Sequence, residues 1–196
     1  MVIYDISREL FQAEVYPGDP VPEYRRVKEI EKGDVCNLSV LTAGAHSATH
    51  IDAPFHFYRD GKTIESIDLR KCIGDCLVLE YTGEISVHDL ENRLKSIPLK
   101  KILIKGDVEI SEEAAQLMAK YDIELLGVEK FTVGTPDTSS SIHKILLGKE
   151  IVIVEALDLT DISEGTYFLA AAPIKYDNLD GAPCRAVLIS WEGKRD

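Results

Sequence analysis

Cysteine is sparse in this 196-residue chain, and its spacing forms no motif. Cys36, Cys72, Cys76 and Cys184 are scattered, and three residues separate Cys72 from Cys76 where a redox or zinc-knuckle pair has two. That speaks against a disulfide framework and a thiolate metal site, and reduced thiols filling core are expected. Long apolar runs are missing too. No stretch approaches the roughly 18 apolar residues of a membrane span, and Met1-Val2-Ile3-Tyr4-Asp5 lacks a basic region followed by an apolar one, so the expectation is a cytoplasmic protein without a membrane partner. Basic residues are in deficit, 22 Lys and Arg against 34 Asp and Glu, for a formal net charge of −12. With no basic stripe to offset it, a nucleic-acid or anionic-membrane surface is disfavoured. No Gly-x-Gly-x-x-Gly or Walker-type loop follows any strand-like segment, which leaves nucleotide binding without a motif. Linker-like stretches, repeats and low-complexity segments are likewise absent. What remains is an ordinary globular balance, 45% apolar and 29% charged, and a length that suits one domain over residues 1–196.

Against that background one segment is unusually dense in ligand-type side chains. Residues 46–57 read His46-Ser47-Ala48-Thr49-His50-Ile51-Asp52-Ala53-Pro54-Phe55-His56-Phe57 and hold three of the five histidines with a carboxylate. Imidazole nitrogen and carboxylate oxygen are the usual donors for zinc, manganese and related divalent ions. Pro54 lacks an N–H and disfavours a helix back to His50, so the segment is expected to be extended. Side chains in an extended chain alternate, which aims His46, His50 and Asp52 to one side and Thr49, Ile51 and Ala53 to the other. His56 shares the parity of the ligands but lies beyond the proline, which leaves it free for proton transfer. The plainer alternative is a surface or core histidine pair; the acid on the same face argues for a metal.

Along the rest of the chain, residues 2–6 form a first strand, and Tyr16-Pro17-Gly18-Asp19-Pro20 enforces a turn that either walls a pocket or lies on the surface. Further strands are expected at 24–31, 37–41, 76–81, 101–105, 123–128 and 151–157. Ser86 caps a helix over 87–96 that carries an exposed His88, and Ser111 caps another through Tyr121. Strand, helix, strand at this spacing reads as a crossover unit with partly parallel pairing. Ser139-Ser140-Ser141 reads as the cap of a short helix carrying His143 and ended by Gly148. Glu155 sits in an apolar strand, where a carboxylate costs several kcal/mol unless paired or bound to a metal. From the residues alone His143 is either a helix-cap histidine or a ligand, and Glu155 either a salt-bridge acid or a ligand. Joined to the first cluster, they make three histidines and two carboxylates, enough for two ions sharing one carboxylate. The chain closes with strand-like segments at 167–174 and 186–191, a turn at Asp180-Gly181-Ala182-Pro183 between them, and a structural Arg185.

Read as a whole, the sequence resembles the cyclase family that includes bacterial kynurenine formamidase. The family's H-x-G-T-H-x-D-x-P-x-H is matched from His46 to His56 except at Ala48, where glycine is usual. The opening Asp5-Ile6-Ser7 and Tyr16-Pro17-Gly18-Asp19, the Val154-Glu155-Ala156-Leu157 segment and the closing Asp180-Gly181-Ala182-Pro183-Cys184-Arg185 are also similar. The resemblance implies an α/β fold of the swivelling β/β/α type, a single mixed-sheet domain with a β-barrel-like core and flanking helices. It implies two zinc ions per subunit, with manganese as the other metal the donors suit, held by His46, His50, Asp52, His143 and Glu155. Asp52 would bridge, and His56 would be the acid/base. The activity implied is hydrolysis of an aryl formamide such as N-formyl-kynurenine in tryptophan catabolism, by a homodimer or higher oligomer. A cyclic amide such as isatin, or a lactone, would suit the same chemistry, and a saturated structural metal site is the non-enzyme alternative.

Overall fold

Strands buried on both faces read as unbroken apolar runs, and the middle of this chain is built of them. The structure, a computed structural model, describes residues 1–191. Its centre is β5 (Ile73–Glu80), β6 (Lys101–Lys105), β7 (Leu125–Val128) and β8 (Val152–Glu155), paired side by side in parallel. The crossovers are α2 (Val87–Ser96), α3 (Glu112–Lys120) and α4 (Ser139–Leu147); a single-turn α1 (Leu69–Cys72) leads into β5. Alternation along the strands feeds two cores. Leu77, Leu79, Ile102 and Ile104 pack with the buried faces of α2, α3 and α4, while Cys76, Val78 and Leu103 face the other way. The helix starts follow the serine signals: the Ser86 hydroxyl accepts from the Asp89 N–H and that of Ser111 from the Ala114 N–H, each worth about 1 kcal/mol.

Antiparallel strands extend this centre on both sides. On one side β9 (Gly165–Ala170) pairs with β5, β11 (Val187–Ser190) with β9, and β1 (Val2–Asp5) with β11. On the other, β4 (His50–Asp52) pairs with β8, and β10 (Gly181–Pro183) with β4, completing nine strands among the described residues. Ser7, just past β1, forms a bridge with Leu157, just past β8, so the sheet curls into a half-barrel. This is the mixed-sheet α/β fold with a barrel-like core that the resemblance implied. The remaining strands, β2 (Glu23–Lys28) and β3 (Leu38–Thr42), form a separate two-stranded ribbon exposed along its whole length. Among the described residues no helix is long and apolar enough to cross a membrane.

Several local expectations need correcting. The histidine segment is extended only over His50–Asp52; His46 precedes it in a turn, and Pro54–His56 form one 3-10 turn beyond it. Ser139, Ser140 and Ser141 lie inside α4, whose N-cap is Thr138. Gly181–Pro183, read as a turn, is a strand, because its backbone pairs with β4. Cys36 is exposed rather than in the core, whereas Cys72 and Cys76 are buried; all four thiols are free. Arg185 is structural as expected, ion-paired with Asp5.

Candidate metal centre

Strand register assembles most of the site. In β4, Ile51 is fully buried in the core, which turns His50 and Asp52 to the opposite face. Pairing with β8 sets His50 across from Glu155, and pairing with β10 sets Asp52 across from Gly181. A cross-strand pair has its Cβ atoms only about 5 Å apart, so the imidazole and the carboxylate converge. His143 enters from the buried side of α4, and His46 from the turn before β4.

The turn carries a strained residue. Ala48 has φ of 52°, the left-handed region that glycine enters freely and alanine does not. Its carbonyl oxygen lies 2.8 Å from His50 Nδ1 and accepts that proton. Replacing Ala48 with glycine is expected to raise stability by about 1 kcal/mol, seen as a higher denaturant midpoint. A lower midpoint would mean that packing of the buried methyl outweighs the backbone strain.

Four buried side chains meet at the centre. His50 Nε2 is 3.3 Å from Asp52 Oδ1 and 3.4 Å from Glu155 Oε2. His143 Nε2 is 3.2 Å from Asp52 Oδ2 and 3.3 Å from Glu155 Oε1. These contacts are close but poorly aligned, and His50 Nε2 and Asp52 Oδ2 have no hydrogen-bond partner although both are buried. Orphaned polar atoms of this kind are costly, and groups that aim at a common point rather than at each other suit a cation between them. The outward nitrogens agree with this. His50 Nδ1 donates to the Ala48 carbonyl and His143 Nδ1, at 2.7 Å, to that of Ser139. A backbone acceptor on one nitrogen fixes the tautomer that leaves the other free as a ligand. Glu155 is steadied by the Val133 N–H, donated to Oε1 at 2.8 Å.

The charge balance points the same way. Burial pushes the His50 and His143 pKa values down, yet the Asp52 and Glu155 carboxylates outweigh it and hold both up at about 10. For His46, burial is outweighed by Asp180 and Asp52, and the value is about 9. Asp52 is fully buried, which favours its neutral form, but three imidazoles hold it well below the usual carboxylate range. Without metal, imidazolium protons therefore supply the positive charge that the carboxylates need. Raised histidine values stabilise the metal-free fold fully below about 6.5, and that contribution is lost as pH rises through 9 to 10. Asp52 acts oppositely, contributing above 3.8 and fading as pH falls. Chelator-stripped protein is expected to melt at progressively lower temperature from about pH 7 to pH 10, and zinc to bind more tightly over that range as protons leave. Calorimetry showing a flat profile for the stripped protein would contradict this.

Exposure grades outward from the centre. The side chain of Asp52 is 0% exposed, that of His46 18%, that of His56 30% and that of Asp180 39%. His46 touches Asp52 through Nδ1 and Asp180 through Nε2, both at 2.8 Å. His56 lies on this open side, its ring centroid 4.0 Å from that of His46. Burial, only partly offset by Asp52, lowers its pKa below 6.5, so it is neutral near pH 7. Phe57 stacks on His143 at 4.6 Å. A cavity of about 350 Å³ opens here, with Tyr16 and Asp19 of the Pro-Gly-Asp-Pro loop in its wall. A second, of about 650 Å³, shares Tyr16, Phe131 and Thr132 with it.

The structure thus brings together all six residues singled out in the sequence, His46, His50, Asp52, His56, His143 and Glu155. His88 stays apart and exposed, as expected, beside Asn92. Asp180 was missed as a site residue. It lies 134 positions from His46, and its Asp-Gly pair signals a turn; the one available hint was that it opens the closing family-like stretch.

Comparison with known proteins bears on this geometry. The Cyclase family model matches residues 4–135. Kynurenine formamidase of Erythrobacter litoralis is 32% identical, with 95% of this chain and 93% of that protein covered. A solved structure described as a predicted metal-dependent hydrolase from Bacillus stearothermophilus is 27% identical, with a TM-score of 0.80, covering 95% of this chain and 97% of its own. Isatin hydrolase A from Labrenzia aggregata is 19% identical with a TM-score of 0.82, over 95% of this chain and 93% of its own, a likeness of fold.

Proposed function

This chain belongs to the Cyclase family, and from that premise we propose that it is a metal-dependent hydrolase cleaving an aryl formamide such as N-formyl-L-kynurenine. The observation that carries the reading is the pair His50 and His143, each tied by Nδ1 to a backbone carbonyl and each aiming Nε2 at Asp52 and Glu155. His46, His50, Asp52, His143 and Glu155 would hold two zinc ions. Bound there, zinc supplies a Lewis acid for the formyl oxygen and lowers the pKa of a water from 15.7 toward about 7.

The chain's own residues supply positioning and proton transfer. His56 is outside the buried four and neutral near pH 7, as a general base must be. It accepts a proton from the water that adds to the formyl carbon. As the C–N bond breaks, it returns the proton to the aniline nitrogen, leaving formate and the free arylamine. The larger cavity beyond Tyr16 and Phe131 gives room for the rest of an aryl substrate. An open-sided site with half-buried His56 and Asp180 favours catalysis over a structural role, since structural zinc sites are closed by four protein ligands.

The test is a side-by-side assay of zinc-loaded protein on N-formyl-kynurenine and isatin. The expected result is a kcat/KM at least about 100-fold higher for the formamide, abolished by chelation and restored by zinc. Turnover of isatin alone would replace the formamide reading with cyclic-amide hydrolysis; turnover of neither would remove both. Self-association is proposed on separate grounds. The β2–β3 ribbon exposes Leu38 and Val40 on one face and the cross-strand pair Tyr24 and Leu41 on the other, apolar area that two strands rarely sustain alone. It also carries Arg25, Arg26 and Lys28 on a chain of net charge −12, so a second copy offers complementary charge. Sedimentation should show a dimer or larger, dissociated by Val40→Asp with Leu41→Asp; a monomeric wild type would refute it.

A further inference from the structure

We propose that Asp180 is a positioning residue whose single carboxylate holds the rings of His46 and His56 together from the open side of the cluster. Its effect on metal affinity follows from geometry alone, and its effect on rate rests on the hydrolytic reading above. The same oxygen, Oδ2, is 2.8 Å from His46 Nε2 and 3.4 Å from His56 Nδ1. His46 is then clamped at both nitrogens, since Asp52 Oδ1 lies 2.8 Å from Nδ1. A proton committed to Asp180 leaves Nδ1 facing Asp52 and the cation position, so the outer carboxylate fixes which nitrogen is a ligand. His56 Nδ1 lies near the same oxygen without being aligned for a hydrogen bond; a small ring movement that directs Nδ1–H at Asp180 would leave Nε2 as the basic nitrogen, the logic by which a carboxylate orients a catalytic imidazole. The longer of the two contacts is one that tightens when substrate or metal draws the ring inward.

The backbone holds this carboxylate firmly. The Asp180 carbonyl accepts from the Ala53 N–H at 2.8 Å, and the neighbouring Leu179 carbonyl from the Ile64 N–H at 2.9 Å. Gly181 pairs with Asp52 in the sheet, so Asp180 sits one residue from a fixed register point. Any side chain at 181 would collide with the ring being positioned: a Cβ there would lie 2.7 Å from His46 Cε1 and 2.8 Å from the Ile51 carbonyl oxygen. Glycine is thus required for β10 to run beneath His46 and deliver the carboxylate to its edge.

The experiment measures zinc affinity by chelator competition, and kcat and KM on N-formyl-kynurenine at saturating zinc. The proteins are wild type, Asp180→Ala, Asp180→Asn, His56→Ala and the double variant Asp180→Ala with His56→Ala. Expected for Asp180→Ala is zinc binding weakened 10- to 100-fold, as for loss of other outer partners of ligating histidines. Its kcat should drop at least tenfold with KM unchanged. Asp180→Asn, which is isosteric and keeps an acceptor oxygen, should recover part of both losses, and it carries the test if the alanine variant does not fold. Adding Asp180→Ala to His56→Ala should weaken zinc again but lower kcat no further. Unchanged zinc affinity in Asp180→Ala, no recovery in Asp180→Asn, or kcat losses that multiply in the double variant would each overturn the proposal. Should wild type bind zinc without cleaving formamides, the hydrolytic reading fails while the affinity arm still decides the role at His46.

Discussion

Replacing Asp52 with asparagine is expected to abolish tight zinc binding and lower kcat/KM by about 10³-fold or more, since metal polarisation alone is worth several kcal/mol. No other carboxylate in the cluster reaches three of its imidazoles. Asp52 is fully buried and reaches His46 at 2.8 Å, His143 at 3.2 Å and His50 at 3.3 Å. An amide of the same shape removes the charge and turns one acceptor into a donor facing imidazole nitrogens. The effect on the metal-free fold is separable. With Asp52 neutral, the protons that it and Glu155 hold on His50 and His143 lose a main support, and breaking a buried ion pair costs about 3–5 kcal/mol. The variant should therefore melt well below wild type when both are stripped of metal. Elemental analysis that finds a full complement of zinc in folded Asp52→Asn would remove Asp52 from the ligand set.

The second large effect is at His56, and it should divide differently between binding and rate. His56→Ala is expected to keep its zinc content and KM while kcat falls about 10²- to 10⁴-fold, the range for a positioned general acid/base. The reason lies in its placement. Its side chain is 30% exposed beside the open cavity, whereas those of His50 and His143 are 2% and 4% exposed and face Asp52 and Glu155. Added imidazole should restore part of the rate by entering the space left. Turnover at the wild-type level would leave His56 without the proton-transfer role. Loss of zinc would make it a ligand, which its approach to Asp52 and His143 allows geometrically.

The sequence made the ligand-bearing face of β4 legible because period-two alternation is a local property: once Ile51 is buried, His50 and Asp52 must face the other way. The parallel centre was legible for a similar reason, since apolar strands separated by serine-capped helices leave few alternatives. Where the pattern is not local, reading it failed. His46 joins the side that alternation assigns to it, but it does so from a turn and through a left-handed residue at Ala48, neither of which alternation describes. Asp180 sits just before a three-residue strand that is a strand because it pairs with β4. Propensity at Gly181-Ala182-Pro183 argues for a turn, and tertiary pairing overrides it. The serines of α4 show a related limit. Ser139 lies inside the helix, where its carbonyl accepts from His143 Nδ1, a role four residues along a helix that a capping pattern does not announce. His143 and Glu155 could be tied to the cluster only through the family resemblance, because a helix and a strand can meet in many ways until the register of β4 on β8 is known.

The central claim is that His46, His50, Asp52, His143 and Glu155 together hold two cations. Anomalous diffraction at the zinc edge, from crystals grown with zinc at neutral pH, measures this most directly. The account predicts two peaks within ligand distance of those five side chains, with Asp52 touching both. Crystals with zinc peaks elsewhere and none among these residues would contradict it.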